Sequence, residues 1–83
     1  MKIQVRYFAS IRESLGVDAE WMDTEAKDAG ALLAELRSRG GVHAQVLAEG
    51  RPVRMAVNQV MARLETPLSE AAEVGFFPPV TGG

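Results

Sequence analysis

EVGFFPPVTGG, Glu73 to Gly83, is the stretch from which the rest of the chain can be read. Glu73 to Phe77 reads as a strand that stops at Pro78, because proline has no N–H to donate to a ladder. Strand alternation places Val74 and Phe76 on one face and Phe77 on the other. Pro78 and Pro79 then stiffen the exit from the sheet and open a flexible tail over 78–83. Gly82 and Gly83 have no Cβ, so their backbone passes where no other residue fits. Fully extended, Pro79 to Gly83 reaches about 17 Å. Two readings of this tail compete. One is a frayed terminus; the other is a thin probe that carries the terminal carboxylate into another protein's pocket. Such a carboxylate is inert until adenylation turns its oxygen into a leaving group. A sulfur, thiol or amine nucleophile can then take the acyl group.

Working outward, KIQVRYF (Lys2 to Phe8) alternates in the same way. Ile3, Val5 and Tyr7 share one face, and Lys2, Gln4 and Arg6 the other. Phe8 falls on the polar side, the same anomaly as Phe77. Either the two rings form an apolar patch for a partner, or one of them folds beneath the loop after the first strand. Ser10-Ile11-Arg12-Glu13 has the capping-box pattern and predicts a helix from Ser10 to Leu15, ended by Gly16. VDAEWMDT has strand character with open parity, since Val17, Ala19 and Trp21 compete with Met22 for the inside. Asp28 is an N-cap for the main helix, AGALLAELRSR, whose Leu32, Leu33 and Leu36 form an apolar stripe. Gly40-Gly41 stops it. Val42 to Ala48 reads as a further short helix with Val46 and Leu47 inward. Val53, Met55 and Val57 face inward on the next strand, and a short strand over Val60 to Leu64 follows an Asn58-Gln59 turn. Met22, Met55 and Met61 read as core filler. This order predicts one α+β domain: a mixed sheet with the main helix packed on one face.

Composition removes several functions. Eighty-three residues suit a single domain. A net charge of −2 with scattered Lys and Arg leaves no basic stripe for a phosphate backbone, so no nucleic acid is expected. The absence of cysteine excludes disulfides, thiolate metal sites and thiol nucleophiles, which fits a cytoplasmic protein. Met1-Lys2-Ile3 leads directly into the first strand pattern, with no sign of a signal peptide. Val74 to Gly83, the longest uncharged stretch, is too short to cross a membrane.

The remaining side chains offer no self-contained active site. His43 is the one histidine and has no companions at catalytic or metal-ligand spacing. The carboxylates are dispersed, so no metal site is expected. Gly40-Gly41 follows a helix and therefore acts as a stop, not a phosphate cradle. Ser10, Ser14, Ser38 and Ser69 lack a nucleophile motif. The tail is left as the candidate for chemistry.

In EVGFFPPVTGG, with RYFASIRESLG (Arg6 to Gly16), AVNQ (Ala56 to Gln59) and the TPL phrase from Thr66 running to Glu70, the chain resembles the molybdopterin synthase small-subunit family of ubiquitin-like sulfur carriers. Val17 to Arg54 resembles the family only in pattern. The resemblance implies a β-grasp fold. It implies that a ubiquitin-activating-like adenylyltransferase uses ATP and magnesium to form an acyl-adenylate on Gly83, and that a sulfur-donating enzyme supplies the sulfur of a thiocarboxylate. This chain would itself bind no cofactor. The large subunit of molybdopterin synthase would receive the tail, and the sulfur would pass to a pterin precursor of the molybdenum cofactor. Carried onto this sequence, Gly83 bears the sulfur and Gly82 is the second threading glycine. Pro78, Pro79, Val80 and Thr81 form the inserted arm, and Phe8 and Phe77 are docking anchors. A sulfur carrier of another pathway, such as a thiazole type, shares the Gly-Gly end. Two more distant rivals are a protein modifier conjugated through Gly83 and a non-covalent binding module with an inert tail.

Overall fold

The computed structural model describes residues 1–79. The elements run β1 (Lys2–Tyr7), α1 (Ala9–Leu15), β2 (Ala19–Asp23), α2 (Ala29–Arg37), α3 (Gly41–Val46), β3 (Arg54–Val57), β4 (Val60–Met61) and β5 (Glu73–Phe77). The five strands form one sheet in the order β2-β1-β5-β3-β4. β1 and β5 lie parallel at its centre, and every other pairing is antiparallel. This is the mixed α+β arrangement expected from the order of elements.

The core follows the two periodicities. Ile3, Val5, Tyr7, Val74 and Phe76 project from the central strands and are at most 1% exposed. Leu32, Leu33 and Leu36 of α2 join them in one cluster with Ile11, Met55 and Leu47. Burying each such leucine contributes roughly 1.5–3 kcal/mol. Asp28 caps α2 as expected, its Oδ1 accepting from the Ala31 N–H at 2.8 Å. The rest of that first turn is satisfied from a distance. The Ala29 N–H donates to the Thr66 carbonyl at 2.9 Å and the Gly30 N–H to the Leu64 carbonyl at 2.8 Å. A Cβ on Gly30 would stand 3.1 Å from that same Leu64 oxygen, so the close approach favours glycine.

Several expectations need correction. The Ser10 capping box does not form. Phe8 is the N-cap of α1, with no side-chain cap, and its carbonyl accepts from Ile11 and Arg12 at 3.2 and 3.3 Å. β1 turns into the helix at Ala9, whose φ is 52°, so the helix begins before Ser10 and the Phe8 carbonyl accepts its first bonds. The main helix ends at Arg37 instead of continuing through Arg39, with Ser38 as C-cap. The Val60 to Leu64 strand is only Val60–Met61, because the chain leaves the sheet to reach the start of α2. Met61 is 56% exposed and is not core filler.

The open parity of β2 is resolved by its neighbour. Met22 pairs with inward Ile3 and Trp21 with outward Gln4, leaving Met22 buried and Trp21 56% exposed. The Asn58-Gln59 turn forms with φ of 51° and 68°, joining the Val57↔Val60 pair in a two-residue hairpin. Positive φ at both central residues matches the right-handed twist of the strands it joins.

Candidate functional site

The candidate site lies on the sheet face turned away from the core, at the end where β5 runs into Pro78. Arg6 pairs with Gly75, Gly75 with Ala56, and Ala56 with Met61. Cross-strand partners project to the same side, so these four residues form one outer row. Two residues further along, Phe77 pairs with Arg54 on the same face. Phe8 extends the parallel ladder past the end of β1, its N–H donating to the Phe76 carbonyl at 3.0 Å.

Phe8 and Phe77 meet edge to face, with centroids 6.1 Å apart and planes at 81°. Both rings are half-buried, and neither joins the core cluster. Their placement is decided by packing on each other: neither folds away beneath the loop, and neither stands fully in solvent. The Phe8 ring lies directly on Gly75. A Cβ at that position would be 2.9 Å from Phe8 Cε2, closer than real contacts allow. The Arg6 guanidinium sits 5.1 Å from the Phe8 ring centre and 3.8 Å from Glu73. At such exposure the cation–π contact is worth about 0.5–1 kcal/mol.

Pro78 and Pro79 are half-buried. They line a groove with Ser10 and Ser14 of α1 and with Arg51 and Pro52 before β3. Val80, Thr81, Gly82 and Gly83 lie outside the described residues.

The other polar cluster is on the core side. Glu20 projects inward opposite Val5. It accepts from the Tyr7 hydroxyl at 2.8 Å and from Arg39 Nη1 at 2.9 Å. The Arg39 hydrogen bond, joined by that of Tyr7, holds the Glu20 carboxyl below its ordinary value against the opposing effect of burial. Burial, then the contact with Glu20, pushes the Tyr7 phenol up. His43 stands edge-on to Tyr7 at 6.2 Å and 3.4 Å from Arg39. Every member is engaged, so the cluster fastens the end of α2 and the start of α3 to the sheet. Among the described residues, no group of three or more His, Cys, Asp or Glu could hold a metal ion. No described helix is long and apolar enough to cross a membrane.

A model of the ThiS family matches residues 5–83. The chain belongs to that family. It is 37% identical over 81 residues to the molybdopterin synthase sulfur carrier subunit of Haemophilus influenzae, covering 98% of this chain and 99% of that one. Identity to the Escherichia coli protein of the same name is also 37%, with the same coverage. Among solved structures, it resembles a chain in the protein–protein complex of subunits 1 and 2 of the molybdopterin-converting factor from Helicobacter pylori. That likeness has 27% identity and a TM-score of 0.69, and it covers all of both chains. The fold is the ubiquitin-like β-grasp.

Within that fold, parity alone found Phe8 and Phe77. Parity also set Arg6 on the side of Phe8, but it did not bring Gly75, Arg54 or Met61 to that face, which pairing across the sheet does. The signal for Gly75 was a glycine inside a strand pattern, which marks close approach by another group.

Proposed function

We propose that this chain is the sulfur carrier subunit of a molybdopterin synthase, with the carboxylate of Gly83 as its working group. An adenylyltransferase using ATP and magnesium joins the Gly83 carboxylate to AMP and releases pyrophosphate. Sulfide-level sulfur delivered by a donating enzyme attacks the acyl carbon, displaces AMP and leaves a thiocarboxylate. The tail, Pro78 to Gly83, then enters the large subunit, where the sulfur passes to a pterin precursor during assembly of the molybdenum cofactor. Phe8 and Phe77 dock the domain so that the tail enters in register, and Gly82 and Gly83 thread the narrowest part. The chain binds no metal or cofactor and works in the cytoplasm with these soluble partners.

The observation that carries this reading is the 37% identity, over 98% of the chain, to proteins named molybdopterin synthase sulfur carrier subunit, on a chain with no cysteine to hold sulfur any other way. The half-buried aromatic pair at the root of the tail supports the docking role. Incubation with ATP, magnesium, a sulfur source and the cognate adenylyltransferase tests the chemistry by intact mass. The expected gain is one oxygen exchanged for sulfur, lost again when the large subunit and pterin precursor are added. An unchanged mass beside an activated control would overturn the carrier reading. Sulfur retained in the presence of the large subunit and precursor would point to a different acceptor. Conjugates to lysines of other proteins would point to a modifier.

A further inference from the structure

We propose that the docking face recognises a partner surface whose apolar centre is bordered by carboxylates, with Arg54 as the residue that reads them. This rests on the docking role of Phe8 and Phe77 and specifies the chemistry of the large-subunit surface that meets them. Arg54 is the cross-strand partner of Phe77, which places the two Cβ atoms about 4.5–5.5 Å apart on the same side of the sheet. Arg54 is exposed. Across the aromatic pair, Arg6 lies against the Phe8 ring and near Glu73. Arg6 and Arg54 thus bring guanidinium groups to two sides of the aromatic pair, and among the described residues only Arg6 of the two has a carboxylate, Glu73, beside it.

The desolvation argument identifies the partner. A surface that covers Phe77 reaches the margin of its neighbour Arg54, and a guanidinium that loses part of its water without a counter-charge opposes binding. Arg6 already has Glu73 and the Phe8 ring beside it, whereas among the described residues Arg54 has no ion pair. Tight docking therefore requires the partner to bring a carboxylate to the Arg54 side. The aromatic pair supplies the apolar centre and the arginines a charged rim, the usual anatomy of a specific interface. Such a rim charge acts mainly on the rate of encounter, and salt screens it.

The test measures association of the full chain with the large subunit at low and high salt. Arg54→Glu should weaken binding at least tenfold at low salt, chiefly through a slower on-rate, and the gap should narrow at high salt. Arg54→Ala should show a smaller loss of the same kind. Lys27→Glu makes the same change in net charge outside this face and should bind as the unaltered chain does. Urea midpoints confirm that each variant is folded. Arg54→Glu behaving like Lys27→Glu, or a loss that salt does not relieve, overturns the proposal. If Phe77→Ala weakens binding while Arg54→Glu does not, only the carboxylate rim falls. If Phe77→Ala also binds normally, the docking role falls and the proposal with it.

Discussion

Phe76 and Phe77 are consecutive residues of β5 that lie on opposite faces of the sheet. Phe76 is fully buried and stacks near Tyr7, with ring centres 6.2 Å apart. Phe77 is half-buried outside the core and meets Phe8. The two side chains should therefore fail in different ways. Phe76→Ala should cost about 3–5 kcal/mol of folding stability. Phe77→Ala should cost under about 1.5 kcal/mol, the scale of an aromatic pair, yet weaken large-subunit binding. Urea unfolding compares the two, and equal costs would make Phe77 a core residue.

Gly75 seats the Phe8 ring, and alanine there would collide with it at 2.9 Å. The ring is half-buried and can swing outward, so Gly75→Ala should leave the chain folded but separate Phe8 from Phe77. The nuclear Overhauser contact between the rings should disappear. In a double-mutant cycle with Phe8→Ala, the alanine at 75 should have no further effect on partner binding. A persisting ring contact, or additive losses, would show that the seat does not position the ring.

Glu20, bonded to Arg39, and the buried Tyr7 give stability two distinct pH limits. The folded Glu20 carboxyl is held below its ordinary 4.5, principally by Arg39. Its contribution is present above about pH 4.5 and is lost as pH falls through the lower folded value. Tyr7 is shifted up from 10.0, principally by burial. The unfolded phenol ionises first, so that contribution is present below about pH 10 and declines as pH rises further. Glu20→Gln should be less stable than the unaltered chain at pH 7, and the gap should close in acid. Tyr7→Phe should flatten the alkaline limb. Gaps that stay constant across pH would contradict these assignments.

Gly83 is proposed to carry the chemistry, and the last strand ends well before it, at Phe77. Deleting Gly83 should leave the urea midpoint unchanged and abolish the sulfur-for-oxygen mass gain. A truncated chain that still acquires sulfur would place the acceptor elsewhere.

Asp28 bonds the Ala31 N–H at 2.8 Å. Asp28→Ala should cost about 1 kcal/mol in urea unfolding. A neutral substitution would mean that the carbonyls of Leu64 and Thr66 suffice to hold the start of α2.

Local periodicity placed Ile3, Val5, Tyr7, Val74 and Phe76 in the core and put Phe8 and Phe77 outside it, because strand parity is a property of consecutive residues. The leucine stripe of α2, its Asp28 cap and the hairpin at Asn58-Gln59 were legible for the same reason. Properties that depend on a residue's neighbour across the sheet were not. Trp21 faces solvent because Met22 pairs with Ile3, and Met61 does so because it pairs with outward Ala56. Ser10 does not cap the helix because the chain turns at Ala9 and the helix starts there, one residue earlier, with Phe8 at the cap position. The docking face likewise joins Arg6, Gly75 and Arg54, which are far apart in sequence, through the parallel pairing of β1 with β5 and the antiparallel pairing of β3 with β5. Strand order and register arise from burying the whole apolar surface at once, and no single segment encodes that minimum.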